Sequence, residues 1–250
     1  MCNRGDYALR PAGLAVGDTG GCDLTAARGD FERAAAVARR VGSPAYLAGA
    51  LRGLADVARL AGDLDEATRL YEETLARLTP HWVKSDRHVV RALLGLGRIA
   101  QERGDLATAR TRMREAAATA VARGPLYDCA LAVEALAGTA LCDDEPATSA
   151  RLLAVAGELR GVVTTDDREV ARVRAGARAR LGEDGYAAAY ATGTGLSLAE
   201  ACRLAGVPEE VLAASSRDRN GRPPDLPDGP PTSPATSPLT GPEAGGERSV

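Results

Sequence analysis

Apolar residues along the middle of the chain recur at i, i+3 and i+4, the spacing that builds one face of an amphipathic helix. One such stripe runs Leu51, Leu54, Ala55, Ala58 and the next Ala67, Leu70, Tyr71, Leu75, Leu78. A second set runs Leu93, Leu96, Gly97, Ala100 and then Ala109, Met113, Ala116. Within each set the two stripes are separated by Gly-Asp, at Gly62-Asp63 and Gly104-Asp105. Glycine there can take the left-handed conformation that ends a helix, and the aspartate can cap the helix that follows. Three segments align on this dipeptide: A-A-R-G-D-F-E-R-A from Ala26, R-L-A-G-D-L-D-E-A from Arg59, and Q-E-R-G-D-L-A-T-A from Gln101. Their glycines, Gly29, Gly62 and Gly104, lie 33 and 42 residues apart (62 − 29 and 104 − 62). A looser fourth copy has Asp143-Asp144-Glu145-Pro146 at the turn and Ala150 after it. This reading puts a turn at Gly29 and leaves the first repeat with little of its leading helix, as if the chain were clipped from something longer.

Small residues at facing positions, Ala55 with Ala67 and Gly97 with Ala109, allow the paired helices to sit at the short end of the roughly 8–10 Å range. A lone pair cannot bury both stripes, so the pairs are expected to stack. The fold class that follows is all-α: a superhelix of stacked antiparallel helix pairs with C-terminal capping helices. Three further helical segments are predicted after the fourth copy: Asp166 to Leu181, Tyr186 to Thr192 and Ser197 to Ala205, ending at Gly182, Gly193 and Gly206. The last opens S-L-A-E, a capping box with Ser197 as cap and Glu200 reaching back. The organisation expected is a degraded or disordered segment over 1–23, a repeat domain over 24–206 and a disordered Pro/Gly/Ser-rich tail over 207–250.

Composition narrows the picture. Hydrophobic residues make up 45% of the chain but aromatics only 3%, so the core must be Ala, Leu and Val, which suits close helix packing. Net charge is −3, which gives no long-range attraction to nucleic acid or an anionic membrane. The five cysteines, Cys2, Cys22, Cys129, Cys142 and Cys202, are scattered without a C-x-x-C pair, so neither a disulfide framework nor a zinc site follows. Charged residues near the N-terminus and the lack of a run of about 20 apolar residues lead to the expectation of a soluble, cytoplasmic protein. Arg replaces Lys almost everywhere, Lys84 being the sole lysine.

The alternation L-A/G … G-D … A … Tyr/Met … A/T-L resembles the tetratricopeptide repeat (TPR) over roughly Leu24 to Gly161. The run A-R-L-L-A-V-A-G-E-L-R-G from Ala150, with the segments from Asp167, Tyr186 and Leu196, is similar to the closing part of AfsR/SARP-like and LuxR-like actinobacterial transcriptional regulators. In that family a DNA-binding domain and an ATPase precede a helical-repeat sensor, and the resemblance here extends only to the sensor. It implies a non-catalytic sensor or protein-interaction module that binds a partner segment or regulatory ligand. The alternative is a generic TPR scaffold unconnected with transcription.

Catalytic signals are lacking. A phosphate-binding loop needs Lys after Gly, and Lys84 follows Val83. No G-x-S-x-G, H-E-x-x-H or Rossmann fingerprint occurs, so no enzyme activity and no cofactor or metal is expected. His81 and His88, seven apart, lack further ligands and are read as a loop residue and a helix-face residue. The acidic run after Cys142 coincides with a turn, and the R-G-D tripeptides at Arg4 and Arg28 are read as coincidence. Ser197 to Leu212 has the look of a helix-turn-helix around Gly206. Its would-be recognition end, however, is Pro208-Glu209-Glu210, which would repel a phosphate backbone.

Function is therefore expected on the concave face lined by the leading helices of the pairs. Arg52, Asp56 and Arg59 fall there on repeat two, and Arg91, Leu94, Arg98 and Gln101 on repeat three. Four arginines in equivalent places would form a groove for an acidic protein or peptide partner, with neither Arg91 nor Arg98 needed in the core. The alternative is an ordinary solvated face.

Overall fold

The structure, a computed structural model, describes residues 23–78, 86–123, 126–161, 168–210 and 212–213, all within one compact unit spanning Met1–Asn220. The described residues form nine α-helices and no strand. These are α1 (Leu24–Arg40), α2 (Pro44–Ala61), α3 (Leu64–Arg77), α4 (Asp86–Glu102) and α5 (Leu106–Arg123). They continue as α6 (Leu126–Cys142), α7 (Pro146–Arg160), α8 (Arg168–Gly193, broken at Gly182) and α9 (Leu198–Leu204). Each helix from α1 to α8 packs on the next in the chain, and α2, α4, α6 and α8 also touch one another as an inner layer. This is the all-α helical-repeat superhelix expected from the stripes. The short α9 closes the far end against α5, α6 and α7.

The turns form as the Gly-Asp rule requires. Gly62 and Gly104 have φ of 85° and 79°, where a side chain would be strained. Asp63 caps α3 through Glu66 N at 3.2 Å, and Asp105 caps α5 through Thr108 N at 3.0 Å. At the fourth turn the left-handed residue is Asp144, with φ of 63°. The Ser197–Glu200 capping box is present, with Ser197 N donating to Glu200 Oε2 at 2.7 Å and Glu200 N to Ser197 Oγ at 3.3 Å.

The first copy differs from the expected register. Gly29 and Asp30 lie inside α1, which is capped by Asp23, whose Oδ1 accepts from Thr25 N (2.9 Å) and Ala26 N (3.0 Å). The equivalent caps are thus Asp23, Asp63 and Asp105, spaced 40 and 42 residues (63 − 23 and 105 − 63), not 33. An interior glycine costs a helix only about 1 kcal/mol relative to Ala, less than a good cap and a buried face return. Tertiary packing marks the same register. Phe31, Tyr71 and Met113 each follow their cap by eight residues and press on a glycine of a leading helix: Phe31 on Gly53, Tyr71 on Gly95 and Met113 on Gly97. The residue is chosen for its bulk and the glycine for the backbone approach it permits.

The core is built of small aliphatics, as the composition dictates. Ala55, Ala58 and Ala67 are fully buried between α2 and α3, and Gly97 lies against Ala109. One cluster joins α1 to α4 and a larger one α4 to α9, with α4 serving both through opposite faces. In the larger cluster α6 is buried almost all round, from Asp128 to Cys142. The packed chain runs past the boundary expected at 206, since Val207 and Leu212 belong to this cluster. Of the loose segments expected over 1–23 and 207–250, residues 1–22, 211 and 214–250 lie outside the described residues, as does His81. In the segment read as resembling a helix-turn-helix, Ala201, Cys202, Val207 and Leu212 are buried, Pro208, Glu209 and Glu210 are exposed, and Arg203 pairs with Glu209 at 2.5 Å.

Candidate functional site

The inner layer carries the candidate residues, because helical spacing places Arg52, Asp56 and Arg59 on one stripe of α2 and Arg91, Arg98 on one stripe of α4. The structure does not leave these arginines bare. Arg52 pairs with Asp56 one turn along α2. Arg59 reaches across to Glu102 of α4 at 2.8 Å, and Arg98 to Glu169 of α8 at 2.9 Å. Arg91 Nε donates to Asp128 Oδ1 of α6 at 2.9 Å, and Asp128 is fully buried. Leu94 is 2% exposed and belongs to the core, since the α4 stripe that faces α6 is apolar. Gln101 is 8% exposed and, among the described residues, donates only to Cys142 Sγ, at 3.8 Å. The site is thus a ladder of alternating charges, and the expectation that Arg91 is dispensable to the core is corrected by its buried partner.

Tyr71 organises the first part of the ladder. Its ring crosses from α3 over Gly95, and its hydroxyl donates to Asp56 Oδ1 at 2.5 Å. Burial, then the nearby Asp56 carboxylate, push its ionisation well above the ordinary tyrosine range, against the opposing pull of Arg59 and Arg98. It stays a proton donor. Burial works against the charge of Arg59, but the carboxylates of Glu169 and Glu102 outweigh it and hold the guanidinium protonated. Asp56 therefore faces both Arg52 and Tyr71, and Arg59 and Arg98 converge on the first turn of α8.

Further along, Arg160 of α7 grips Glu134 of α6 through two bonds of 2.6 Å, with the side chains only 7% and 6% exposed. The guanidinium carbons of Arg160 and Arg91 stand 4.8 and 5.5 Å from the ring centre of half-exposed Tyr127, within cation–π range. Glu102, Asp128, Glu134 and Glu169 were not singled out in the sequence, because each meets an arginine from a different helix. His88 lies half-buried on α4 with its ring against Gly49. No group of three or more His, Cys, Asp or Glu suited to a metal ion occurs among the described residues. None of the described helices is long and apolar enough to cross a membrane.

A superhelix whose inner layer carries a polar ladder and whose outer layer is structural defines a helical-repeat scaffold. Residues 21–79, spanning α1 to α3, match the tetratricopeptide repeat family model, so the chain contains that repeat. No curated protein and no solved structure matches the chain.

Proposed function

We propose that the chain is a protein-interaction module of regulatory type, binding an acidic segment of a partner along the inner face of α2 and α4. The observation that carries this reading is the state of Arg52, Arg59 and Arg98. Their side chains are 17–24% exposed, their carboxylate partners 36–41%, and each Nε has no hydrogen-bond acceptor among the described residues. Partly exposed ion pairs contribute only about 0–1 kcal/mol. A charge-assisted hydrogen bond at a desolvated interface contributes about 1.5–3 kcal/mol. Carboxylates from a partner can therefore displace Asp56, Glu102 or Glu169 with net gain. Arg91 and Arg160 are different: their partners are buried, and exchange there would leave a charge stranded. The working groove is therefore narrower than the seven residues expected, centred on Arg52, Asp56, Arg59 and Arg98.

The resemblance of the segments after Ala150 to the sensor part of AfsR/SARP-like and LuxR-like regulators supports a role in transcriptional control. The partner is then another component of that machinery. Fluorescence anisotropy with a labelled Glu/Leu peptide, and its Lys/Leu counterpart as control, tests the groove. The acidic peptide should bind, more weakly as salt rises, and lose binding in the Arg59→Gln/Arg98→Gln variant at unchanged helicity. Equal binding of both peptides, or binding unaffected by the variant, would reject the proposal.

A further inference from the structure

Where one helix pair passes to the next, the last turns of α1, α3 and α5 and the first turns of α2, α4 and α6 share one edge of the repeat. Side chains tie these ends together. The His88 ring at the start of α4 lies against Gly49 near the start of α2, and Arg87 and Arg91 reach Asp128 at the start of α6. The Gly-Asp turns, which join the two helices of a pair, lie a helix length away on the opposite edge.

The two edges differ in kind. Among the described residues the large apolar side chains left exposed are Val37, Val41, Tyr46, Leu60, Leu126 and Tyr127, and all but Leu60 stand on the first edge. Arg39, Arg40 and Arg87 are exposed among them. The carboxylates in the same turns are covered, Asp128 fully and Asp86 in part. On the Gly-Asp edge the exposed charges are mainly acidic: Asp63, Asp65, Glu102, Asp105, Asp144 and Glu145, with Arg103 among them. The net charge of −3 thus conceals one edge that is apolar and basic and another that is acidic.

Exposed apolar clusters bordered by charge mark interaction surfaces. Neighbouring helices pack about 8–10 Å apart, so Tyr46 on α2 and Tyr127 on α6 stand about two such spacings from one another. The apolar tips form a row with arginines between them, which suits a fluid, negatively charged surface. A tyrosine ring with its polar tip fits the level of lipid headgroups, and a guanidinium takes phosphate oxygens. Arg91 and Arg160 already flank the Tyr127 ring, so ordering it costs little. We propose that this edge docks on a bilayer rich in anionic phospholipid, with Val41, Tyr46, Leu126 and Tyr127 at headgroup depth and Arg39, Arg40 and Arg87 on lipid phosphates. Net charge does not oppose this at contact. Helix α2 has 18 residues and is about 27 Å long at roughly 1.5 Å per residue, whereas charge is screened over about 8 Å at physiological salt. The acidic edge therefore lies about three screening lengths from a surface that the apolar edge touches. The inference does not depend on the partner-binding reading, because it uses none of Arg52, Asp56, Arg59 and Arg98.

Co-sedimentation of the full chain with sucrose-loaded vesicles tests it, one set of phosphatidylcholine alone and one of equal parts phosphatidylcholine and phosphatidylglycerol. The anionic vesicles should carry the protein down, less so as salt rises, and the neutral vesicles should not. Arg39→Gln/Arg40→Gln should lower the partition coefficient by about tenfold or more. Tyr46→Ser/Leu126→Ser should lower it by about tenfold. Both pairs are exposed, so helicity and melting temperature should stay unchanged. Asp63→Asn/Asp65→Asn raises the net charge by as much as the arginine pair lowers it, keeps a capping side chain at 63, and should leave partition unchanged. No sedimentation with anionic vesicles, equal sedimentation with both sets, or indifference to either edge variant would overturn the proposal. So would a partition that follows net charge in the aspartate variant. The Arg59→Gln/Arg98→Gln variant separates the two surfaces: it should sediment like the unaltered chain, and an equal loss there would place the lipid in the groove and refute the edge.

Discussion

Replacing Gly95 by alanine would test how the inner layer is held together. Gly95 sits mid-helix in α4, where alanine is the better helix former by about 1 kcal/mol, so propensity alone predicts stabilisation. The structure predicts the opposite. A Cβ at this position would come within 2.6 Å of Tyr71 Cζ, Cε1 and Cε2, closer than carbon atoms can approach. The ring cannot swing away freely, because Tyr71 is fully buried and its hydroxyl is held by Asp56 at 2.5 Å. Overpacking costs about 1–3 kcal/mol, and losing a hydrogen bond to a charged acceptor about 1.5–3 kcal/mol. Set against the propensity gain, Gly95→Ala should destabilise by about 1.5–5 kcal/mol. Gly97→Ala, two residues on, is the control. There the nearest atoms are Met113 Cγ at 3.0 Å and Cε at 3.3 Å, so an unbranched, adaptable side chain needs to give by only a few tenths of an ångström, and the change should lie within about 1 kcal/mol of neutral. Urea unfolding followed by far-ultraviolet circular dichroism reads both, with constant slopes as the check that unfolding stays cooperative. A double-mutant cycle with Tyr71→Leu should show strong coupling to Gly95→Ala, because removing the ring removes the clash. If Gly95→Ala is as stable as Gly97→Ala, or the cycle is additive, Tyr71 does not bridge α2 and α4 as described.

Three other outcomes are expected. Arg160→Met strands the buried Glu134 carboxylate and should cost about 3–5 kcal/mol in urea unfolding, most of it recovered when Glu134→Leu is added. For His88, burial foremost, then the charges of Arg52, Arg87 and Arg91, lower the pKa below its ordinary 6.5, with Asp128 opposing. A base depressed in the folded state binds fewer protons than when unfolded. Its contribution is thus intact above about pH 6.5 and lost as pH falls through the folded value, and His88→Gln should flatten that acid limb of the stability curve. The Cys202 thiol is buried, and burial pushes its pKa up to about 12. Maleimide labelling mapped by mass spectrometry should find it unreactive at neutral pH in the folded protein and reactive in urea; fast labelling of the native chain would contradict the packing of α9.

What the sequence determined is what neighbours along the chain decide. Helix stripes, the caps at Asp63 and Asp105, the left-handed Gly62 and Gly104, and the Ser197–Glu200 box depend on groups within a few residues of one another, so spacing alone makes them legible. The register of the first repeat was not legible from Gly-Asp, because that dipeptide at Gly29 is tolerated inside a helix once Asp23 supplies the cap. The eight-residue spacing to Phe31, Tyr71 and Met113 held the better signal, since bulk must sit where a neighbouring helix offers a glycine. The charge ladder was beyond local reading. Arg59 meets Glu102, Arg91 meets Asp128 and Arg98 meets Glu169, partners 43, 37 and 71 residues away (102 − 59, 128 − 91 and 169 − 98). An arginine on a helix face looks the same in sequence whether it faces water or a carboxylate from another repeat. Only the rotation of one helix pair against the next decides which it is, and that rotation is set by how the small residues of the core interlock.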